Sequence, residues 1–242
     1  MRTLSTHFKR DQLLPMTLQI LHHTSFDEGF EPYQGEQHLI GPVGWGIDWQ
    51  PGDKPGPVRP EVQAEIRSRG DRGILTGEHG VKMCHAYAFF DGVFYRRFAA
   101  EAGLVYRAQV HATAECPEGG LACQIGIDPA GDLEFLSKRV VWSKWYGTDD
   151  SIFQAYRWQL IASEVEAQAN QITVFLRCAC REAVQVNAGF FDDFTLFGQA
   201  SAPPAPGPDT GTLTTHIERL AADVAELAVY VDEHKRPCLV VT

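Results

Sequence analysis

At 242 residues, 44% hydrophobic and 11% aromatic, the chain has enough apolar surface for one large core of the size that undivided all-β domains reach. Its net charge of −10, with no clustered stripe of Lys and Arg, excludes a nucleic-acid partner held through phosphates and leaves neutral ligands and cations. No apolar run is long enough to span a bilayer, so membrane insertion is not expected.

Residues 1–16 form an N-terminal extension whose opening, Met1 to Asp11, is polar and has no secretory apolar region. With no signal peptide or transmembrane segment in the sequence, the expected location is cytoplasmic, virion-associated or reached by a non-classical export route. From 17 to 198 the chain reads as a succession of short strands bounded by turn residues, the pattern of an all-β sandwich or jelly roll. His22 and His23 are neighbours on the first strand. Adjacent strand residues point to opposite faces, so the two are not expected to chelate one metal.

Two acidic motifs bracket this β segment. Ser25-Phe26-Asp27-Glu28-Gly29 follows the first strand and Phe191-Asp192-Asp193-Phe194 interrupts the last. First and last strands of an antiparallel sandwich commonly lie side by side, so Asp27 and Asp192 can share a hard cation such as calcium; solvated turn acids are the alternative. Asp192 and Asp193 stand in an otherwise apolar strand and need compensation, which favours the cation.

Between these ends, Trp45 and Trp49 sit in a Gly/Pro-rich loop, and Val81–Phe90 and Val93–Phe98 flank Asp91-Gly92, a dipeptide suited to a two-residue hairpin turn. Further strands are expected over 104–112, 123–127, 139–142, 156–163, 171–178 and 190–197. In 171–178 both faces carry apolar residues, Ile172, Val174 and Leu176 against Phe175, as expected where one face is core and the other a shallow groove. Trp142, Trp145 and Tyr146 form a second aromatic cluster. Flat rings stack on the C–H faces of sugars while a nearby carboxylate such as Asp128 accepts hydroxyl hydrogen bonds, so these loops read as a glycan platform, with core packing the competing fate of each ring. Of six cysteines, Cys116 and Cys123 flank one turn and are a possible local pair, and Cys178 and Cys180 share a strand face. The spacings match no metal motif, and reduced structural thiols are the expectation.

Residues 199–211 are a Pro-rich linker, semi-rigid and extended. Over 212–235, Leu213, Leu220 and Leu227 at d positions and Ile217, Val224 and Val231 at a positions mark a coiled-coil helix that makes the chain a homo-oligomer, a dimer or a trimer. A helix docked on its own β domain is the alternative. Residues 236–242 are a short tail.

Taken in order, Thr24-Ser25-Phe26-Asp27-Glu28-Gly29-Phe30, Gly44-Trp45, Arg59-Pro60-Glu61, His79-Gly80-Val81-Lys82-Met83, Ile125-Gly126-Ile127-Asp128-Pro129, Val141-Trp142-Ser143, Thr173-Val174-Phe175-Leu176-Arg177 and Phe191-Asp192-Asp193 resemble the galactose-binding-like jelly rolls of carbohydrate-binding modules. They are particularly similar to a group of such domains abundant in filamentous green bacteria. The resemblance implies a structural calcium held by Asp27, by backbone carbonyls around His79 and Lys82, and by Asp192. It also implies a glycan partner. The local signatures of hydrolases and nucleotide enzymes are absent from the sequence, so the expected function is non-catalytic carbohydrate binding, multimerised by the C-terminal helix. The alternative is a structural protein of a virion, fibre or surface layer that uses the jelly roll for assembly.

Overall fold

The computed structural model describes residues 18–51, 57–67, 71–117, 119–147 and 157–199. The N-terminal extension, most of the linker and the predicted coiled coil lie outside the described residues.

Among the described residues the fold is all β, two six-stranded antiparallel sheets packed face to face. The first sheet runs β12 (Gln159–Glu166), β8 (Val105–Glu115), β14 (Ala188–Gln199), β6 (His79–Cys84), β5 (Glu61–Ile66), with β1 (Leu18–Thr24) also paired to β14. The second runs β10 (Val141–Trp142), β9 (Leu121–Asp128), β13 (Gln171–Cys180), β7 (Phe90–Ala99), β4 (Gly46–Trp49), and β11 (Tyr146–Gly147) also joins β9. A small ribbon of β2 (Phe30–Pro32) and β3 (Ile40–Pro42) stands apart. The first and last strands do pair, Leu18 opposite Gln199 through Thr24 opposite Phe194.

Period-two alternation builds the core. Ile172, Val174, Leu176 and Cys178 of β13 face inward with Phe94, Ile125, Ile127, Val81, Met83, Phe191 and Phe194, and all of these are buried. The intervening residues of β13 and β7 form a second apolar layer on the opposite side of the second sheet. There Val93 and Phe175 lie under Phe135 and Val140 of the β9–β10 connection, with Tyr95 and Trp142 at the margin.

The hairpin predicted at Asp91-Gly92 is not formed. Both residues lie inside β7, with Asp91 opposite Ala179 and Gly92 opposite Cys178 and Trp49. β6 and β7 belong to different sheets, and the chain crosses between them through a turn in which Tyr87 takes φ 56°. Tight packing explains the glycine: a Cβ on Gly92 would stand 2.8 Å from Met83 Sδ and 3.0 Å from Pro60 Cγ. Asp91 is held by a partner across the sheet, so a dipeptide with turn chemistry serves a strand.

Candidate functional site

Among the described residues, the outer face of the second sheet carries a candidate site built on a paired arginine. Arg177 and Asp91 both point to this face, and the guanidinium meets the carboxylate in a two-pronged pair, Nε to Oδ1 at 2.7 Å and Nη2 to Oδ2 at 2.5 Å. A third donor, Nη1, reaches Gln124 Oε1 at 3.3 Å. The guanidinium carbon lies 5.1 Å from the Trp145 ring, 5.3 Å from Trp142 and 5.5 Å from Phe135. Cation–ring attraction of this kind fixes both partners, and a planar Arg is suited to it. The pair floors an open cavity of about 360 Å³ that Pro57, Phe89, Trp145 and Arg181 also line. Trp145 is 36% exposed.

Two glycines shape the surrounding surface. Trp142 lies across Gly126, where a Cβ would stand 2.5 Å from the indole, and Tyr95 lies across Gly46 in the same way. Tyr95 shares a hydrogen bond with Tyr33, hydroxyl to hydroxyl at 3.2 Å. Burial, reinforced by Tyr33, pushes the Tyr95 hydroxyl up to about 12, so it stays neutral.

The residues singled out in the sequence divide sharply. Trp142 and Trp145 reach this site. Trp45 does not: it is 6% exposed and packs edge-on against Phe194 with ring centroids 5.1 Å apart, a core residue beneath a glycine-rich loop. Trp49 is half-buried at the end of β4, packed on the main core. Tyr146 is buried, and its hydroxyl donates to Arg157 O at 3.0 Å. Asp128 is fully buried; its Oδ1 accepts the Ala130 N–H at 2.8 Å, while Oδ2 takes no hydrogen bond and faces Arg139 Nε at 3.5 Å. That carboxylate shapes the following turn and presents nothing to a sugar. The sequence reading missed Arg177, Asp91 and Phe135. The apolar outer face of β13 was the available signal, since an Arg inside such a face implies a buried partner.

The predicted cation residues gather at a different place. Asp192 is buried at a bulge in β14, where Oδ2 accepts the Leu75 and Thr76 N–H groups at 2.7 and 2.9 Å and Oδ1 accepts the Asp193 N–H at 2.6 Å. Burial outweighs these bonds and leaves its acid strength below normal, the pKa raised. Asp27 Oδ1 accepts the Glu78 and His79 N–H groups, each at 2.9 Å, and lies 3.2 Å from the His79 ring. Partial burial pushes the Asp27 pKa up, but these amides with Ser25 and His79 outweigh it and hold the carboxyl below its usual value. Lys82 sits within β6, paired with Gln63 and Phe190, so its backbone belongs to the ladder, and its ammonium lies 3.1 Å from Glu65. As folded, both carboxylates are turned to amide donors. Among the described residues no group of three or more His, Cys, Asp or Glu comes together in a way that could hold a metal ion.

The two histidines of β1 part as expected. His22 turns inward against Phe98 and Phe194, and His23 outward to Thr195.

No family model matches the chain, and no curated protein does. Solved structures similar to it in fold include TmCBM61 in complex with β-1,4-galactotriose, 17% identical, covering 64% of this chain and 88% of that one with a TM-score of 0.44. The CBM22-1 xylan-binding domain of Paenibacillus barcinonensis Xyn10C is 12% identical, covering 76% and 97%, TM-score 0.45. The Stig cyclase Fisc of Fischerella sp. TAU, in complex with an indole compound, is 10% identical, covering 72% and 99%, TM-score 0.44.

Proposed function

We propose that this protein is a non-catalytic carbohydrate-binding module whose glycan site is the cavity beside Trp145. The observation that carries the reading is the half-open indole of Trp145 standing over the Arg177–Asp91 pair. A flat apolar wall next to fixed hydrogen-bonding groups suits a neutral sugar ring. At the cavity itself Asp91 is committed to Arg177, and Asp128 on the same face is committed to its own turn, which favours binding over acid–base chemistry there. The proposal includes multimerisation through Leu213–Val231, because linked weak sites gain avidity without new contacts. It also includes a calcium joining Asp27 to Asp192, which requires the 75–79 turn to present carbonyls in place of amides.

The test is a broad glycan array with the intact chain, followed by Trp145→Ala and Trp45→Ala. Loss of the Trp145 ring removes about 1.5–3 kcal/mol of a weak interaction and erases binding, while the lost contact with Arg177 lowers the melting temperature far less than a core truncation does. Trp45→Ala instead costs about 3–5 kcal/mol of stability as a core truncation. A blank array for the intact oligomer decides for the structural protein of a virion, fibre or surface layer.

A further inference from the structure

Four of the cysteines lie buried in one region of the sandwich, Cys116, Cys123, Cys178 and Cys180, each as a free thiol. The local pair suggested by the Cys116–Cys123 spacing is not the pair that the strands bring together. Cys123 of β9 stands directly opposite Cys178 of β13. Cys116 has Cys180 for its neighbour instead.

The kind of opposition follows from the backbone. Arg181 N–H donates to Gly120 O at 2.8 Å, so the backbone of Gly120 faces β13; Ser143 N–H donates to Ile125 O at 2.8 Å, so that of Ile125 faces away. Antiparallel ladders alternate, which makes Cys123 and Cys178 a non-hydrogen-bonded pair. In such pairs the Cα atoms stand about 4.5 Å apart with side chains drawn together, inside the range of about 4.4–6.8 Å that a disulfide spans. Both side chains point into the core toward Gly189 of β14. A Cβ there would collide with Cys178 Sγ and come within 3.1 Å of Cys123 Sγ, so one missing side chain leaves room for both sulfurs.

We propose that Cys123 and Cys178 are a disulfide site, closed by exchange with a small-molecule disulfide such as oxidised glutathione. Two S–H bonds break and one S–S bond forms; the two electrons and two protons convert the reagent to two thiols. The bond lies under the strands that present Arg177 and Gln124 and ties them together at the neighbouring position. Exchange happens before the sandwich closes. In the folded chain both thiols are buried, and desolvation together with the neighbouring thiol holds Cys178 well above the ordinary thiol range, so thiolate is scarce.

The experiment refolds the full chain with reductant or with a reduced and oxidised glutathione mixture, blocks free thiols in denaturant, and digests after Glu and Arg. Cleavage at Glu118 and Arg177 separates the peptides that carry Cys116, Cys123 and Cys178. After oxidative refolding the Cys123 peptide is expected linked to the peptide that begins at Cys178, and the unfolding equilibrium constant falls about a thousand-fold by the loop-closure relation. A Cys116→Ala/Cys180→Ala variant keeps the link, and adding Cys178→Ala removes it. Reduced, already folded protein exposed to the same mixture reacts far more slowly than refolding protein. Free Cys123 after oxidative refolding, or Cys123 linked to Cys116, overturns the proposal.

Discussion

Asp27 and Asp192 hold the same turn from its two ends: Asp192 receives the N–H groups of Leu75 and Thr76, and Asp27 those of Glu78 and His79. The two acidic motifs thus meet across one short connection. Backbone amides compensate both carboxylates in this arrangement. Calcium and the amides compete for the same oxygens, and a melt measures the competition. If calcium takes the clasp, a concentration of a hundred times Kd adds about 2.7 kcal/mol, seen as a higher melting temperature that excess EDTA reverses. A melt that neither calcium nor EDTA moves removes the ion and leaves the amide clasp sufficient.

The two carboxylates of the clasp give opposite pH dependence. Asp27 has a lowered pKa in the folded state, so its contribution is present above the unfolded value of about 3.9 and is lost as pH falls through the folded one. Asp192 has a raised pKa, so its contribution is complete below about 3.9 and is lost as pH rises through the folded value. Urea melts of Asp27→Asn should show a deficit at neutral pH that closes on acidification. For Asp192→Asn the deficit relative to the parent chain should instead shrink as pH rises. Curves that run parallel to the parent for both variants would contradict the assignment.

Much of this was legible from alternation and motif order, and the rest was not for identifiable reasons. The strands over 123–127, 171–178 and 190–197 appear within β9, β13 and β14, and that over 104–112 overlaps β8 from Val105 on, because residues such as Ile172, Val174 and Leu176 repeat at the strand period. The pairing of Asp27 and Asp192 with one region followed from the adjacency of the first and last strands. Asp91-Gly92 misled because turn propensity is local, whereas the position of Gly92 is set by Met83 and Pro60, remote neighbours that fill the place of a side chain. Trp45 misled in the same direction: its loop is exposed in composition, but the ring closes the end of the core against Phe26 and Phe194. Arg177 offered only the apolar outer face of β13 as a signal, because its partners lie far away in sequence on two separate stretches, Asp91 on β7 and Trp142 and Trp145 on 141–147.

Asp91→Asn is expected to separate the floor of the cavity from its walls. The Arg177 and Asp91 side chains are 15% and 14% exposed, so the substitution leaves a guanidinium without its counter-charge in a largely desolvated place. Breaking such a pair costs about 3–5 kcal/mol, against at most about 1 kcal/mol for an exposed one. Denaturant melts read the difference. A loss at the exposed-pair level would mean that the rings of Trp142, Trp145 and Phe135, and not the carboxylate, hold Arg177 in place.

Assembly is tested independently of the β domain. Leu213, Leu220 and Leu227 alternate with Ile217, Val224 and Val231 at intervals of four and three residues, a seam that pairs helices when each apolar side chain inserts between four of the partner. These residues lie outside the described part of the chain, so the test needs a direct measure of mass. Leu220→Asp places a carboxylate in the middle of the seam, where it has no counter-charge and would lose its hydration in an assembled helix pair. Light scattering should give an oligomer for the parent chain and a monomer for Leu220→Asp and for a chain ending at Gln199. The strand content by circular dichroism should stay unchanged, because every described strand lies between Leu18 and Gln199. The same mass for all three proteins would refute the coiled coil, and a change in strand content would show that the C-terminal segment packs on the sandwich instead.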